Sequence, residues 1–96
     1  MAKFLIEVPH GATKEACNEA IAVFHQTGSH FLTHADWGCL DGVHSAWIIV
    51  DVAHKEDARF IVPPVLRSTA KITQLTTFTA KDIINSEVYH KGDQAL

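Results

Sequence analysis

The sequence predicts an α+β domain in which a four-stranded antiparallel sheet carries two helices on one face. Residues 14–27 carry an apolar stripe at helical spacing, and each end of the chain contains a strand-like run. Between them, residues 30–52 are typical of a β-hairpin, because Asp41 and Gly42 form a strong turn signal between two strand-like segments. The order of elements is therefore expected to be β-α-β-β-α-β.

The first strand and helix are indicated by alternation and by a capping residue. KFLIEV at 3–8 alternates apolar and other residues and stops at Pro9. Thr13 is a typical N-cap for a helix over 14–27, which Gly28 would close. The apolar stripe of this helix recurs at the spacing i, i+3, i+4, i+7: Cys17, Ala20, Ile21 and Phe24.

The second half of the chain repeats the pattern of helix and strand. AHKEDARFIV predicts a helix over 55–62, which the proline pair at 63–64 must end. KITQLTTFT is rich in threonine and alternates, so it predicts a strand over 71–79. Thr79 with Asp82 is expected to cap a short helix, AKDIIN.

Composition limits the classes of protein to consider. A chain of 96 residues that is 47% hydrophobic makes one globular domain, assigned to 1–85, with a polar C-terminal tail at 86–96. The net charge of −3 argues against nucleic acid or an anionic membrane as the main partner. There is no long apolar run and no signal peptide, so a cytoplasmic location is expected. The two cysteines make neither a disulfide framework nor a CxxC pair.

The order β-α-β-β-α-β is the ferredoxin-like pattern, whose usual strand order is 4-1-3-2. In that arrangement the helices leave one sheet face open. With Asp41 and Gly42 at the turn, Asp36 lies opposite Trp47, and the open face would be too apolar to remain in contact with water. We therefore expect a homodimer whose two sheets enclose a cavity. The hairpin residues on this face are Leu32, His34, Asp36, Trp47, Ile49 and Asp51.

The segment WIIVDVAHKEDARFIVPPVLRSTAKITQLTTF resembles the second half of muconolactone isomerases in layout. In both, a strand ending in aspartate is followed by a helix, a proline-containing turn and a final strand. The chain thus resembles the dimeric α+β barrel proteins over residues 3–80. The resemblance implies a dimer with a small organic ligand in its cavity, and it transfers no catalytic motif.

The first functional hypothesis is cofactor-independent acid–base chemistry of the isomerase or lyase type. A histidine beside carboxylates in an apolar cavity is suited to proton transfer near neutral pH. His34 would move the proton, Asp36 would orient it, and Glu7 would be the second acid or base. The ligand would be a partly apolar organic molecule contacted by Trp47, Leu32, Ile49 and Asp51.

Two alternatives remain open. The first is a divalent transition metal held by His34 and Asp36, at i and i+2 on a strand, with Glu7 or His10 completing the site. His30 and His34 would be about 13 Å apart on a strand, too far to share an ion. The turn region offers two further soft ligands that do not complete a site alone, Cys39 and His44. The second alternative is a non-catalytic dimeric module whose polar cavity residues only fix the dimer.

Overall fold

A computed structural model describes residues 1–27 and 30–84 of the chain. It is an α+β domain with one four-stranded sheet, all of whose strand pairs are antiparallel, in the order β2-β3-β1-β4. The strands and helices are β1 (Ala2–Pro9), α1 (Lys14–Gln26), β2 (Asp36–Trp37), β3 (Ser45–Val52), α2 (Lys55–Ile61), β4 (Lys71–Leu75) and α3 (Ala80–Ile84).

The core lies on one face of the sheet. Side chains of β1 alternate between faces, so Phe4, Ile6 and Val8 are buried while their neighbours are not. They join one apolar cluster with the inward residues of β3 and β4. Both α1, through Phe24, and α2, through Ala58, contribute to that cluster. The predicted helical stripe and strand alternation are thus confirmed.

The predicted boundaries of the helices hold to within one residue. The Thr13 hydroxyl accepts a hydrogen bond from the Ala16 amide at 3.0 Å, which confirms the N-cap of α1. Gly28, expected to close this helix, lies outside the described residues. The capping of α3 is also confirmed, because the Thr79 amide donates to the Asp82 carboxylate at 2.8 Å. The tail at 86–96 lies outside the described residues as well.

The strand predicted at the start of the hairpin is wrong. His30–His34 is a 3-10 helix, and β2 contains only two residues. The short helical turn directs Leu32 into the core, where it is 3% exposed, rather than onto the open face. Burial of this large apolar side chain favours the helical turn over further strand pairing. The last strand is likewise shorter than predicted, ending at Leu75.

The predicted pairing within the hairpin is confirmed. Asp36 pairs with Trp47, and Trp37 pairs with Ala46 in the same register. The turn is longer than two residues, because a 3-10 segment, Cys39–Asp41, precedes Gly42 at φ 80°. The Trp47 ring lies against Gly38, where an added Cβ would come within 2.8 Å of it. Glycine at this position therefore permits the close packing of the loop on the ring.

The opposite face of the sheet holds most of the predicted cavity residues. Asp36, Trp47 and Glu7 form one cross-strand row over β2, β3 and β1. Beside that row, Ile49 is 60% exposed, and Asp51 is exposed further along β3. Among the described residues, no helix has the length and apolar character needed to cross a bilayer.

Candidate metal centre at one end of the sheet

Two histidines meet at the end of the β1–β3 pair. The register pairs Pro9 with Ser45, so the next residues outward, His10 and His44, are cross-strand neighbours. The His10 amide donates to the His44 carbonyl at 3.1 Å and extends the ladder by one step. Their rings lie edge to face with centroids 5.8 Å apart. Strand register alone therefore brings the two imidazoles together.

Cys39 approaches the same point from the hairpin loop. The Gly38 amide donates to the Ser45 carbonyl at 3.1 Å, which continues the β2–β3 register into the loop and sets Cys39 beside His44. The Cys39 Sγ lies 3.2 Å from Nε2 of His10. Nitrogen or sulfur atoms of His10, Cys39 and His44 all lie within 4.8 Å of one another.

The fourth group comes from α1. Cys17 lies one turn into this helix on the side that faces the sheet, and its thiol donates to the Cys39 Sγ at 2.8 Å. Both cysteines are free and half-buried. Three strand ends and one helix thus contribute two imidazoles and two thiols to one place, which we call the His-Cys cluster: His10, Cys17, Cys39 and His44.

Aromatic side chains form one wall of the His-Cys cluster. The Trp37 ring lies 5.8 Å from that of His10 and is itself packed against Phe24 at 4.9 Å. Phe24 is almost fully buried in the core. The wall fixes the position of His10 and excludes water from that side, which strengthens electrostatic interactions at the cluster.

Two nitrogen atoms in the His-Cys cluster lack hydrogen-bond partners. Nδ1 of His10 and Nδ1 of His44 are both buried, and neither has a partner among the described residues. Buried polar atoms are normally paired, so such an atom indicates a missing water, ion or other partner. The case is clearer for His44, because the Val8 carbonyl acts on the His10 imidazole.

The surroundings favour neutral imidazole and protonated thiol in the metal-free protein. Burial, and then the proximity of His44, hold the pKa of His10 below its usual 6.5, with a smaller opposing effect from the Val8 carbonyl. The hydrogen bond with Cys17, followed by burial, raises the pKa of Cys39. Neutral imidazole is the form that binds metals. A thiol, in contrast, must lose its proton before it can bind a cation.

Two donor distances can be compared with those around a tetrahedral ion, whereas Cys17 is not among the donors that lie within 4.8 Å of one another. Bonds of about 2.0 Å to nitrogen and 2.3 Å to sulfur imply ligand–ligand distances of roughly 3.3–3.8 Å. The His10–Cys39 distance of 3.2 Å would open by several tenths of an ångström. The distance of 2.8 Å between the two sulfur atoms would open by about 1 Å. Two cysteines and two histidines make a ligand set found at closed zinc sites.

Only some of the residues predicted as catalytic lie close together in the structure. Glu7 and Asp36 flank Trp47 in one row, and the Asp36–Trp47 pair of this row has the predicted hairpin register. His34 instead lies exposed on the 3-10 helix, outside β2. Its ring is 5.1 Å from that of His30, so the expected separation of about 13 Å, which assumed a strand, is wrong.

The metal ligands predicted on the strand are not the ones that the structure brings together. In residues 1–27 and 30–84, the grouping of three potential ligand residues contains His10 with Cys39 and His44, and includes neither His34 nor Asp36. His10, named above as a candidate ligand, and the pair Cys39 and His44 lie together in this grouping. Cys17 was missed, because its place in the apolar stripe of α1 indicated an ordinary buried residue.

Comparison with protein-family models, curated proteins and solved structures found no significant match to this chain. The likeness to muconolactone isomerases therefore rests on the order of elements alone.

Proposed function

We propose that the protein binds one divalent transition-metal ion, with Zn²⁺ as the first candidate, at the His-Cys cluster. The observation that carries this proposal is the convergence of His10, Cys39 and His44, whose donor atoms lie within 4.8 Å of one another. Cys17 supplies the fourth ligand from the adjacent helix. A metal bound through Nε2 of His10, the ring nitrogen that lies 3.2 Å from the Cys39 Sγ, would fix the proton of this imidazole on Nδ1.

The donor types select the class of metal. Imidazole and thiolate bind borderline and soft cations, whereas Mg²⁺ and Ca²⁺ require oxygen ligands. Zn²⁺ suits the cluster because it has no electronic preference of geometry and accepts a tetrahedral mixture of nitrogen and sulfur. Copper would bind such donors more tightly, so the metal held in the cell depends on supply as well as affinity.

The position of the cluster favours a structural role for the metal. Its four ligands come from the end of β1, the first turns of α1, the hairpin loop and the start of β3, so one ion would tie together segments that are distant in the sequence. A small domain gains much from such a cross-link, because its core alone is modest. Two thiolates also neutralise the charge of a divalent ion, which favours a half-buried site.

Metal titration of reduced, untagged protein tests the proposal. Calorimetry with Zn²⁺, supported by elemental analysis after dialysis, is expected to give one ion per chain. His44→Ala removes a ligand and should lower the affinity at least about tenfold, equivalent to 1.4 kcal/mol. His34→Ala is the matched control, since it removes an exposed histidine outside the cluster. Equal affinities for the two variants would contradict the proposal.

A second function is proposed for the opposite face of the sheet. The strand order, read from the β4 edge, is 4-1-3-2, which supports a ferredoxin-like arrangement. The face has the exposed Ile49 beside the half-buried Trp47, which supports a homodimer in which two such faces enclose a small, partly apolar organic ligand. Glu7 and Asp36, on either side of Trp47, would then supply cofactor-independent acid–base chemistry.

A reducing compartment such as the cytoplasm suits both proposals. Thiolate ligands require reduced cysteines, and cytosolic glutathione and thioredoxin keep thiols in that form. The contact between the free Cys17 and Cys39 supports this location, because the pair would be prone to oxidation elsewhere.

A further inference from the structure

We infer that Cys17 and Cys39 are an oxidation site, at which a hydroperoxide joins the two sulfur atoms in a disulfide and so empties the metal site. The release of metal rests on the proposed function, whereas formation of the disulfide does not. The two thiols are separated by 22 positions in the sequence and come from different elements, α1 and the hairpin loop. Their contact is therefore a product of the fold rather than of sequence proximity.

The distance between the sulfur atoms lies between two alternative states. The Sγ atoms are 2.8 Å apart, and both side chains are half-buried rather than enclosed. A disulfide would bring them to about 2.05 Å. A shared tetrahedral ion would instead separate them to roughly 3.8 Å. Small movements of the two side chains thus lead to one state or the other, and the two states exclude each other.

The oxidation balances with hydrogen peroxide as the oxidant. One thiolate attacks the peroxide, the O–O bond breaks, and a sulfenic acid and one water are formed. The second sulfur attacks the sulfenic sulfur, so that an S–S bond forms and a second water leaves. Both thiol protons end in water, both sulfur atoms are oxidised by one electron each, and the peroxide is reduced. Nε2 of His10, 3.2 Å from the Cys39 Sγ, is placed to receive the proton of that thiol.

Loss of both thiolates leaves too few ligands. Only the imidazoles of His10 and His44 remain after the disulfide forms, and two ligands do not complete a tetrahedral site. Conversely, a bound ion uses the sulfur lone pairs and keeps the sulfur atoms apart, so it should slow the oxidation. The same two residues would thus act as ligands in reduced protein and as a cross-link in oxidised protein.

The test treats reduced, untagged protein with increasing hydrogen peroxide, with and without one equivalent of Zn²⁺. Intact mass spectrometry reports the disulfide as a loss of two hydrogens per chain, and a chromogenic chelator reports released Zn²⁺. We expect the two signals to rise together to one per chain, and a thiol reductant to reverse both. The metal-free protein should be oxidised faster than the zinc-loaded protein.

Two variants separate the possible outcomes. Cys17→Ser keeps His10, Cys39 and His44 as ligands, so it should retain weaker Zn²⁺ binding but form no disulfide within one chain. His34→Ala keeps both thiols and should behave as the parent protein does. The inference would be overturned if the oxidised protein retained its Zn²⁺. It would also be overturned if oxidation of the thiols gave only sulfinic acid or disulfides between chains. If the reduced protein bound no Zn²⁺, the proposed function and the metal release would fail, while the mass measurement on metal-free protein would still decide the oxidation site.

Discussion

Gly38→Ala is a sharp perturbation of the loop that carries two of the proposed ligands. A Cβ on Gly38 would lie 2.7 Å from the Val43 carbonyl oxygen and 2.8 Å from the Trp47 ring. The ring is half-buried and has room to swing away, but the carbonyl accepts a hydrogen bond from the Ser45 amide at 2.9 Å and is part of the backbone. The loop must therefore open, and Cys39 and His44 lie on its two sides.

The expected loss of stability follows from the measured effects of substitutions that overpack a protein interior. Such substitutions lower the free energy of unfolding by about 1–3 kcal/mol. In a domain of this size, each kcal/mol corresponds to a change in Tm of roughly 4–8 °C. If the free energy of Zn²⁺ binding becomes less favourable by about 1 kcal/mol, the Kd for Zn²⁺ rises about fivefold.

Thermal melts followed by circular dichroism, with calorimetric titration of Zn²⁺, measure both effects. Gly42→Asn is the matched control in the same loop, because a Cβ on Gly42 meets nothing within 4 Å. Asparagine also tolerates the left-handed conformation at φ 80°. A Gly38→Ala variant with the Tm and Kd of the parent protein would refute the packing argument for this loop.

Three further predictions address stability, pH and association. Zn²⁺ at a hundred times its Kd should raise the unfolding free energy of reduced protein by about 2.7 kcal/mol, seen as a Tm increase of roughly 11–22 °C, and Mg²⁺ should give none. Since the pKa of His10 is held below 6.5 in the fold, the unfolded state takes up its proton first, so metal-free protein should lose stability as pH falls below 6.5. Urea melts of parent and His10→Gln should show a smaller pH dependence in the variant. Ile49→Lys should abolish self-association in analytical ultracentrifugation, and an unchanged sedimentation would argue against the proposed dimer face.

The pairing of strands was the most predictable part of the site. The turn signal at Asp41 and Gly42 sets Asp36 opposite Trp47, and the same register continued two steps into the loop places Cys39 beside His44. Setting Glu7 level with Trp47 likewise brings His10 to His44. Two strand registers therefore imply the proximity of three members of the cluster, His10, Cys39 and His44.

Other features depended on packing that alternation does not reveal. The segment HFLTH was predicted as a strand because it precedes the Asp41-Gly42 turn signal, whereas the burial of Leu32 in the core accompanies a 3-10 helical turn. Cys17 has the spacing of a core residue, and its contact with Cys39 depends on how α1 crosses the sheet. A crossing angle is a tertiary property, which explains why the contact of Cys17 with Cys39 was not found from sequence.

Titration of the reduced protein with Co²⁺, followed by absorption spectroscopy, tests the central claim most directly. Cobalt adopts the geometry of the zinc site and reports its ligands. We expect saturation at one equivalent, with an intense thiolate-to-metal charge-transfer band in the near ultraviolet and the strong visible absorption of a tetrahedral ion. Both signals should disappear when Zn²⁺ displaces the cobalt. A weak spectrum of octahedral, oxygen-ligated Co²⁺, with no charge-transfer band, would contradict the metal centre.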